Sequence, residues 1–190
     1  MGFTRAQLDA FRDSTVPDVI GEGCRLLFVG INPGLWTAAV QTHFAHPQNR
    51  FYPALKQAGL IDRDIDRAAG MSDFDRVHLV ERGIGITNLV ERATSRASEL
   101  SRVELRAGGA RLERLVTKVG PRVVAIAGIT AYRTAFGVPG SSPGRQEHPL
   151  GGAELWVVPN PSGLNAHETV ATLAVGYREV GVAAGIVDAG

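Results

Sequence analysis

Three short apolar runs, each closed by a residue that interrupts extended structure, constrain this chain more than any other feature. Arg25-Leu26-Leu27-Phe28-Val29 ends at Gly30, Val123 to Ala127 ends at Gly128, and Glu154 to Val158 ends at Pro159. Runs of this length with so little polar alternation suit strands buried on both faces, the condition of a parallel sheet covered by helices. Ile84 to Val90 reads as a further strand or extended segment. The clearest helix begins at Ser101. Ser101-Arg102-Val103-Glu104 matches a capping box, in which hydroxyl and carboxylate satisfy backbone donors reciprocally, and Gly120-Pro121 stops the helix after Val119. Other helices are expected over Thr4–Asp13, late in Pro47–Leu60, over Thr130–Phe136 and over Glu168–Ala184. Asp62 to Arg82 is charged and less regular. Gly137–Gly152 and Asn160–His167 read as loops. Strands alternating with helices predict an α/β domain with a mainly parallel sheet and helices on both faces.

At 190 residues and 44% hydrophobic, the chain can bury one core, and neither a linker nor a repeat divides it. The expectation is a single domain over 1–190, with residues 1–16 a helical extension. No run approaches the ~20 apolar residues of a membrane span, and no apolar leader follows the first residues. A cytoplasmic location is expected, nucleoid-associated if the source is bacterial. A single cysteine, Cys24, excludes an internal disulfide and any cluster or zinc site built from several thiolates. The five histidines show no close ligand spacing, so neither metal nor cofactor is expected.

Formal net charge is only +1, but it is unevenly distributed. Residues 82–145 hold eleven basic against four acidic side chains, whereas 1–81 hold eight against ten and 146–190 one against five. The basic middle segment suits either a phosphate footprint or a solvated helix face, the latter for Arg102, Arg106, Arg111 and Arg114.

Two loops leave the ends of buried strands. They are Gly30-Ile31-Asn32-Pro33-Gly34-Leu35 and Pro159-Asn160-Pro161-Ser162-Gly163-Leu164-Asn165. In an α/β sheet such loops form the ligand-binding edge. Each places Asn-Pro directly after a strand. Proline fixes its own φ and drives the preceding asparagine out of the helical region, giving that side chain a defined direction. Glycine lets main chain approach a ligand closely. Alone, Asn-Pro-Gly is also an ordinary turn signal.

Together with Phe44-Ala45-His46-Pro47-Gln48-Asn49-Arg50-Phe51 and Ile86-Thr87-Asn88-Leu89-Val90-Glu91-Arg92-Ala93-Thr94, these loops closely resemble the mismatch-specific uracil- and thymine-DNA glycosylases. The motifs follow the same order over about Pro17 to Val180. The resemblance implies a three-layer α/β/α uracil-DNA glycosylase-like fold with a four-stranded, mainly parallel sheet. It implies hydrolysis of the N-glycosidic bond of uracil or thymine opposite guanine, in double-stranded DNA carrying G·U or G·T pairs, by a monomer that leaves an abasic site.

By the same resemblance, Asn32 positions the attacking water and Phe44 stacks on the extruded base, although a core role also suits a phenylalanine. Main-chain N–H groups near Gly34 and Phe44 would bind base carbonyls, and Ile31 and Thr37 would border the C5 edge. Asn88 and Thr94 fit either catalytic support or loop capping. Gly163 and Leu164 match the wedge that enters the duplex, offsetting part of the unstacking cost. Ser162, Gly163 and Asn165 would face the orphaned guanine. The chain departs from the family at Ala166, where arginine is common, and at Ile129, where relatives often carry a phosphate-contacting lysine. His167 and Arg133 are candidate replacements. The only lysines, Lys56 and Lys118, lie outside these loops, so a Schiff-base lyase step is not expected. Two other readings stay open: a broader uracil-DNA glycosylase acting also on single strands, and a non-catalytic damage-binding module. A nucleotide-binding Rossmann domain lacks its Gly-x-Gly-x-x-Gly and ranks last.

Overall fold

Each apolar run is a strand in the computed structural model, which describes residues 2–190. The strands are β1 (Leu26–Gly30), β2 (Ile84–Asn88), β3 (Val123–Ala127), β4 (Gly144–Arg145) and β5 (Glu154–Val158). They form one sheet in the order β2-β1-β3-β5-β4. The first four run parallel, and β4 pairs antiparallel with β5. The sheet therefore has five strands and not four. The fifth lies inside the segment read as a loop, and two residues are too few to leave a hydrophobic signature. It forms because Gly144 and Arg145 pair with Val157 and Trp156 along the exposed edge of β5. Arg145 Nη2 also meets Glu154 Oε2 at 3.0 Å. Such a short strand blunts an edge that would otherwise invite pairing with another chain.

Among the described residues there are seven α-helices: α1 (Arg5–Asp9), α2 (Leu35–Val40), α3 (Phe51–Gln57), α4 (Asp73–Glu81), α5 (Arg102–Val119), α6 (Ile129–Phe136) and α7 (Val170–Ala183). Alternate strand residues face opposite layers. Leu26, Phe28, Ile84, Ile86, Val123 and Ala125 pack with α3, α4 and α7, where Phe28 meets Phe51 and Tyr177 with ring centroids 5.1 Å apart in both pairs. Leu27, Val29, Val124, Ile126, Leu155 and Val157 pack with α5 and α6. Two cores back to back explain why the strands read as unbroken apolar runs.

The capping box at Ser101 is present, with Ser101 Oγ accepting from Glu104 N at 3.1 Å. Gly108 in α5 makes a close approach. A Cβ there would lie 2.4 Å from the Leu89 carbonyl oxygen, so α5 presses directly on the exit of β2. Other boundaries moved. The first helix ends at Asp9, short of the expected Asp13, whose φ of 64° cannot continue a helix. The chain beyond it is pinned instead to the β2 exit, Asp13 N donating to Ala93 O and Ala93 N to Ser14 O. The last helix starts at Val170 and not Glu168, because the Thr169 hydroxyl caps it. Helices α2 and α4 fall where none was expected. The first has six residues and no side-chain cap, and the second buries only His78 and Leu79, too thin a stripe to show as periodicity.

No helix among the described residues is long and apolar enough to cross a membrane. Cys24 is buried, and burial pushes its thiol up to about 11, so it behaves as a small apolar residue. The chain passes from β1 outward to β2, then back across β1 to β3, so β1 and β3 flank the switch in direction. Ligands of open α/β sheets bind beyond the carboxyl ends of the strands at such a point.

Candidate active site

An open pocket of about 670 Å³ lies at this edge, lined from the exits of β1, β2, β3 and β5. All of the residues singled out as site candidates line it: Ile31, Asn32, Gly34, Thr37, Phe44, Asn88, Thr94, Ser162, Gly163, Leu164 and Asn165.

The turn after β1 is fastened to the strand beside it. Leu89 N donates to Gly30 O, Val90 N to Ile31 O, and Thr94 N to Pro33 O. The Asn32 side chain completes this seam. Its Nδ2 donates to Thr94 Oγ1 at 2.7 Å, to Arg92 O at 3.0 Å and to Pro33 O at 3.2 Å. Two of these acceptors are carbonyls, which cannot donate, so the orientation of the amide is fixed by its surroundings. The Thr94 hydroxyl in turn donates a hydrogen bond to Arg96 O at 2.9 Å. Asn32 Oδ1 accepts from no group among the described residues, and the half-buried Asn32 lines the pocket. Proline after Asn32 thus works together with a second loop 60 residues away.

Asn88 is held from the other side. His43 is buried, and its Nε2 lies 2.9 Å from Pro17 O, an acceptor only, which places the ring proton on Nε2. Nδ1 is then the acceptor for Asn88 Nδ2 at 3.0 Å. Burial lowers the His43 pKa, and its bond to Pro17 O opposes this only in part, so the ring is neutral near pH 7. With its nitrogen committed, Asn88 turns its oxygen toward β1. A Cβ on Gly30 would lie 2.4 Å from Asn88 Oδ1 and 3.2 Å from the Phe44 ring, so only glycine fits there. His43 was not among the site residues expected from the sequence. Its link to Asn88 spans 45 residues and leaves no local signal.

Phe44 has φ of 54°, a left-handed conformation that costs a non-glycine residue of order 1 kcal/mol. One face of its ring stacks on Phe51 at 4.1 Å, and the half-buried remainder forms pocket wall. Phe44 therefore packs on the core through one face and lines the pocket with the rest. Its amide N–H donates to no acceptor among the described residues. Thr37 is buried, and its hydroxyl accepts from Ala45 N at 3.3 Å, tying the Phe44 loop to α2. Apart from Gly34 and its chain neighbours, no atom of the described residues lies within 4 Å of where a Gly34 Cβ would stand.

The loop after β5 is held by its own polar side chains. Asn160 Oδ1 accepts from Ser162 N, Ser162 Oγ from Leu164 N, and Asn165 Nδ2 donates to Asn160 O. Arg50 Nη1 donates to Ser162 O and Asn165 O, both at 3.1 Å. A Cβ on Gly163 would lie 2.6 Å from Gln48 Cβ, so this loop sits tightly on the 46–50 segment. Leu164 stands out from it, 86% exposed. Neither candidate replacement for the missing DNA contacts reaches the pocket. Arg133 gives both Nε and Nη2 to Ser141 O on the surface loop, and His167 is exposed beyond the pocket wall. Neither lysine lines it. The wall also contains His46, Gln48 and Asn49 and the segment Ser95–Ser98, which sequence reading left out because it stopped at Thr94.

No Asp or Glu lines the pocket, and among the described residues no group of three or more His, Cys, Asp or Glu side chains converges to hold a metal ion. The fold and site define an α/β protein with a carboxylate-free pocket, lined by apolar groups and carboxamides, at the switch point of its sheet. A family model settles the class further: residues 17–175 match the uracil DNA glycosylase superfamily, and the chain belongs to it. The fold is similar to the solution structure of a protein from Methanosarcina acetivorans provisionally named a uracil DNA glycosylase. The two share a TM-score of 0.58 at 18% identity over 87% of this chain and 96% of that one.

Proposed function

We propose that the protein is a DNA glycosylase that hydrolyses the N-glycosidic bond of uracil or thymine paired with guanine and leaves an intact abasic site. The Asn32 carboxamide carries this reading. Its nitrogen is held by three acceptors and its oxygen is left to accept from a water at the pocket floor. In the reaction the bond from C1′ to the base breaks, the base keeps the electron pair, and cationic charge develops on the sugar. Water then adds to C1′ and sheds its proton to solvent. With no carboxylate in the wall, catalysis rests on orientation rather than on strong base assistance, and slow turnover is expected.

The flipped base would stack on Phe44, present a carbonyl to the Phe44 N–H, and donate its N3–H to Asn88 Oδ1. Cytosine, which has no N3–H, would leave that acceptor unpaired, at a cost of about 1–3 kcal/mol. Leu164 would fill the vacated place in the stack. With neither lysine at the pocket, no side-chain amine is at hand for a Schiff base, which supports hydrolysis without strand cleavage. One observation favours a broader substrate range. Asn165 is tied at both ends, Nδ2 to Asn160 O and Oδ1 to His167 N, which leaves fewer side-chain groups for the orphaned guanine.

The test is excision from one labelled oligonucleotide presented as G·U, G·T, A·U or single-stranded U. Expected is abasic product from G·U, reduced or lost with Asn32→Ala. Equal rates on A·U and G·U would establish the broader range. No product on any substrate would leave a DNA-binding module as the function.

A further inference from the structure

We infer that Arg96 is the cation that grips a DNA backbone phosphate at the mouth of the pocket, beside the extruded nucleotide; this rests on the glycosylase reading above. Among the described residues, Arg96 is the sole Arg, Lys, Asp or Glu in the pocket wall. Four other arginines reach the surrounding residues, and each is already engaged. Arg50 donates to Ser162 O and Asn165 O, Arg67 to Pro47 O, and Arg111 to Asn88 O, while Arg92 pairs with Asp13 and Glu104. Among the described residues, Arg96 uses only its main chain, N donating to Glu99 Oε1 at 2.8 Å and O accepting from the Thr94 hydroxyl and from Glu99 N. Glu99 is itself taken by Arg12 at 2.5 Å, so it does not hold the Arg96 guanidinium. Arg96 is exposed and carries its donors free.

Position gives this charge a use. The sheet order puts the β2 exit and the β5 exit on opposite sides of β1 and β3, so Arg96 and Leu164 bracket the mouth. On this inference, a strand whose base enters between them, with Leu164 in the stack, lays its sugar-phosphate on the β2 side. Planar guanidinium donors suit phosphate oxygens. The same residue closes the chain from Asn32 Nδ2 through the Thr94 hydroxyl to Arg96 O, so a gripped phosphate would brace the turn that holds the water.

The experiment measures binding of a G·U duplex whose uridine carries 2′-fluorine, which slows cleavage by disfavouring the sugar cation. Affinity is followed against salt for wild type, Arg96→Gln, Arg96→Lys and Lys118→Gln. Lys118 sits in the last turn of α5, away from the pocket. One lost phosphate contact flattens the logarithmic salt slope by about 0.9. The affinity ratio of wild type to Arg96→Gln should therefore shrink about 3.5-fold between about 50 and 200 mM salt. Arg96→Lys should restore the slope, and Lys118→Gln should leave it unchanged. Wild-type excision with an unaltered slope in Arg96→Gln would overturn this inference alone. A wild type that neither binds nor cleaves any duplex would overturn it together with the glycosylase reading.

Discussion

The two loops that shape the pocket share the Asn-Pro-x-Gly-Leu or Asn-Pro-Gly-Leu character in sequence, yet they are built oppositely. The turn after β1 is sewn to the β2 exit by main-chain bonds and by the Asn32 amide, whose three acceptors lie on two separate chain segments. The loop after β5 is tied mainly to itself, with Arg50 and the Gly163 contact as anchors, and it offers a nearly bare leucine to solvent. A group that orients a reacting water gains from having its alternatives removed in advance. A wedge has to enter a duplex and gains from standing clear of its own protein. On the proposed function, the same local residues would serve chemistry in one place and nucleic-acid contact in the other.

Asn32→Ala should break the comparison most sharply. Excision should fall by at least roughly 10²-fold in single turnover at saturating enzyme, with duplex affinity nearly unchanged. A matching loss of affinity would show that the turn binds DNA instead of orienting water. Leu164→Ala should do the reverse. Its side chain is exposed, so thermal stability should move by less than about 0.5 kcal/mol, while duplex affinity falls and excision recovers at high enzyme concentration. A Leu164 variant that fails even at saturation would place that loop in the chemical step.

The smallest effect concerns acid. Folding depresses the His43 pKa, so the unfolded chain takes up a proton more readily than the native one. The stability this confers is complete above about pH 6.5 and declines as pH falls below it. Asp18, which favours the charged ring, and Arg76, which opposes it, modulate the midpoint. Protonation would also turn Nδ1 into a donor, draw Asn88 Oδ1 away from the pocket, and lower excision on the acid side. His46 is depressed too, by partial burial and Arg67, so His43→Asn should remove part of the acid loss of stability and flatten the acid limb of the rate. Parallel profiles for wild type and variant would exclude the His43 link.

Much of the frame was legible before any coordinates. The apolar runs ending in Gly30, Gly128 and Pro159 announce doubly covered strands, and the Ser101 capping box and Gly120 bound α5 because those signals act within a few residues. The Asn-Pro turns point to the pocket-forming edge for the same local reason. Only the tertiary structure decided what faces what. The two-residue β4 exists because an edge of β5 was there to pair with it. His43 and Thr94 join the site through hydrogen bonds between segments distant in sequence, and neither periodicity nor composition encodes such partners. Backbone preference is written residue by residue, whereas the free oxygen of Asn32 is what remains after distant groups have satisfied its nitrogen.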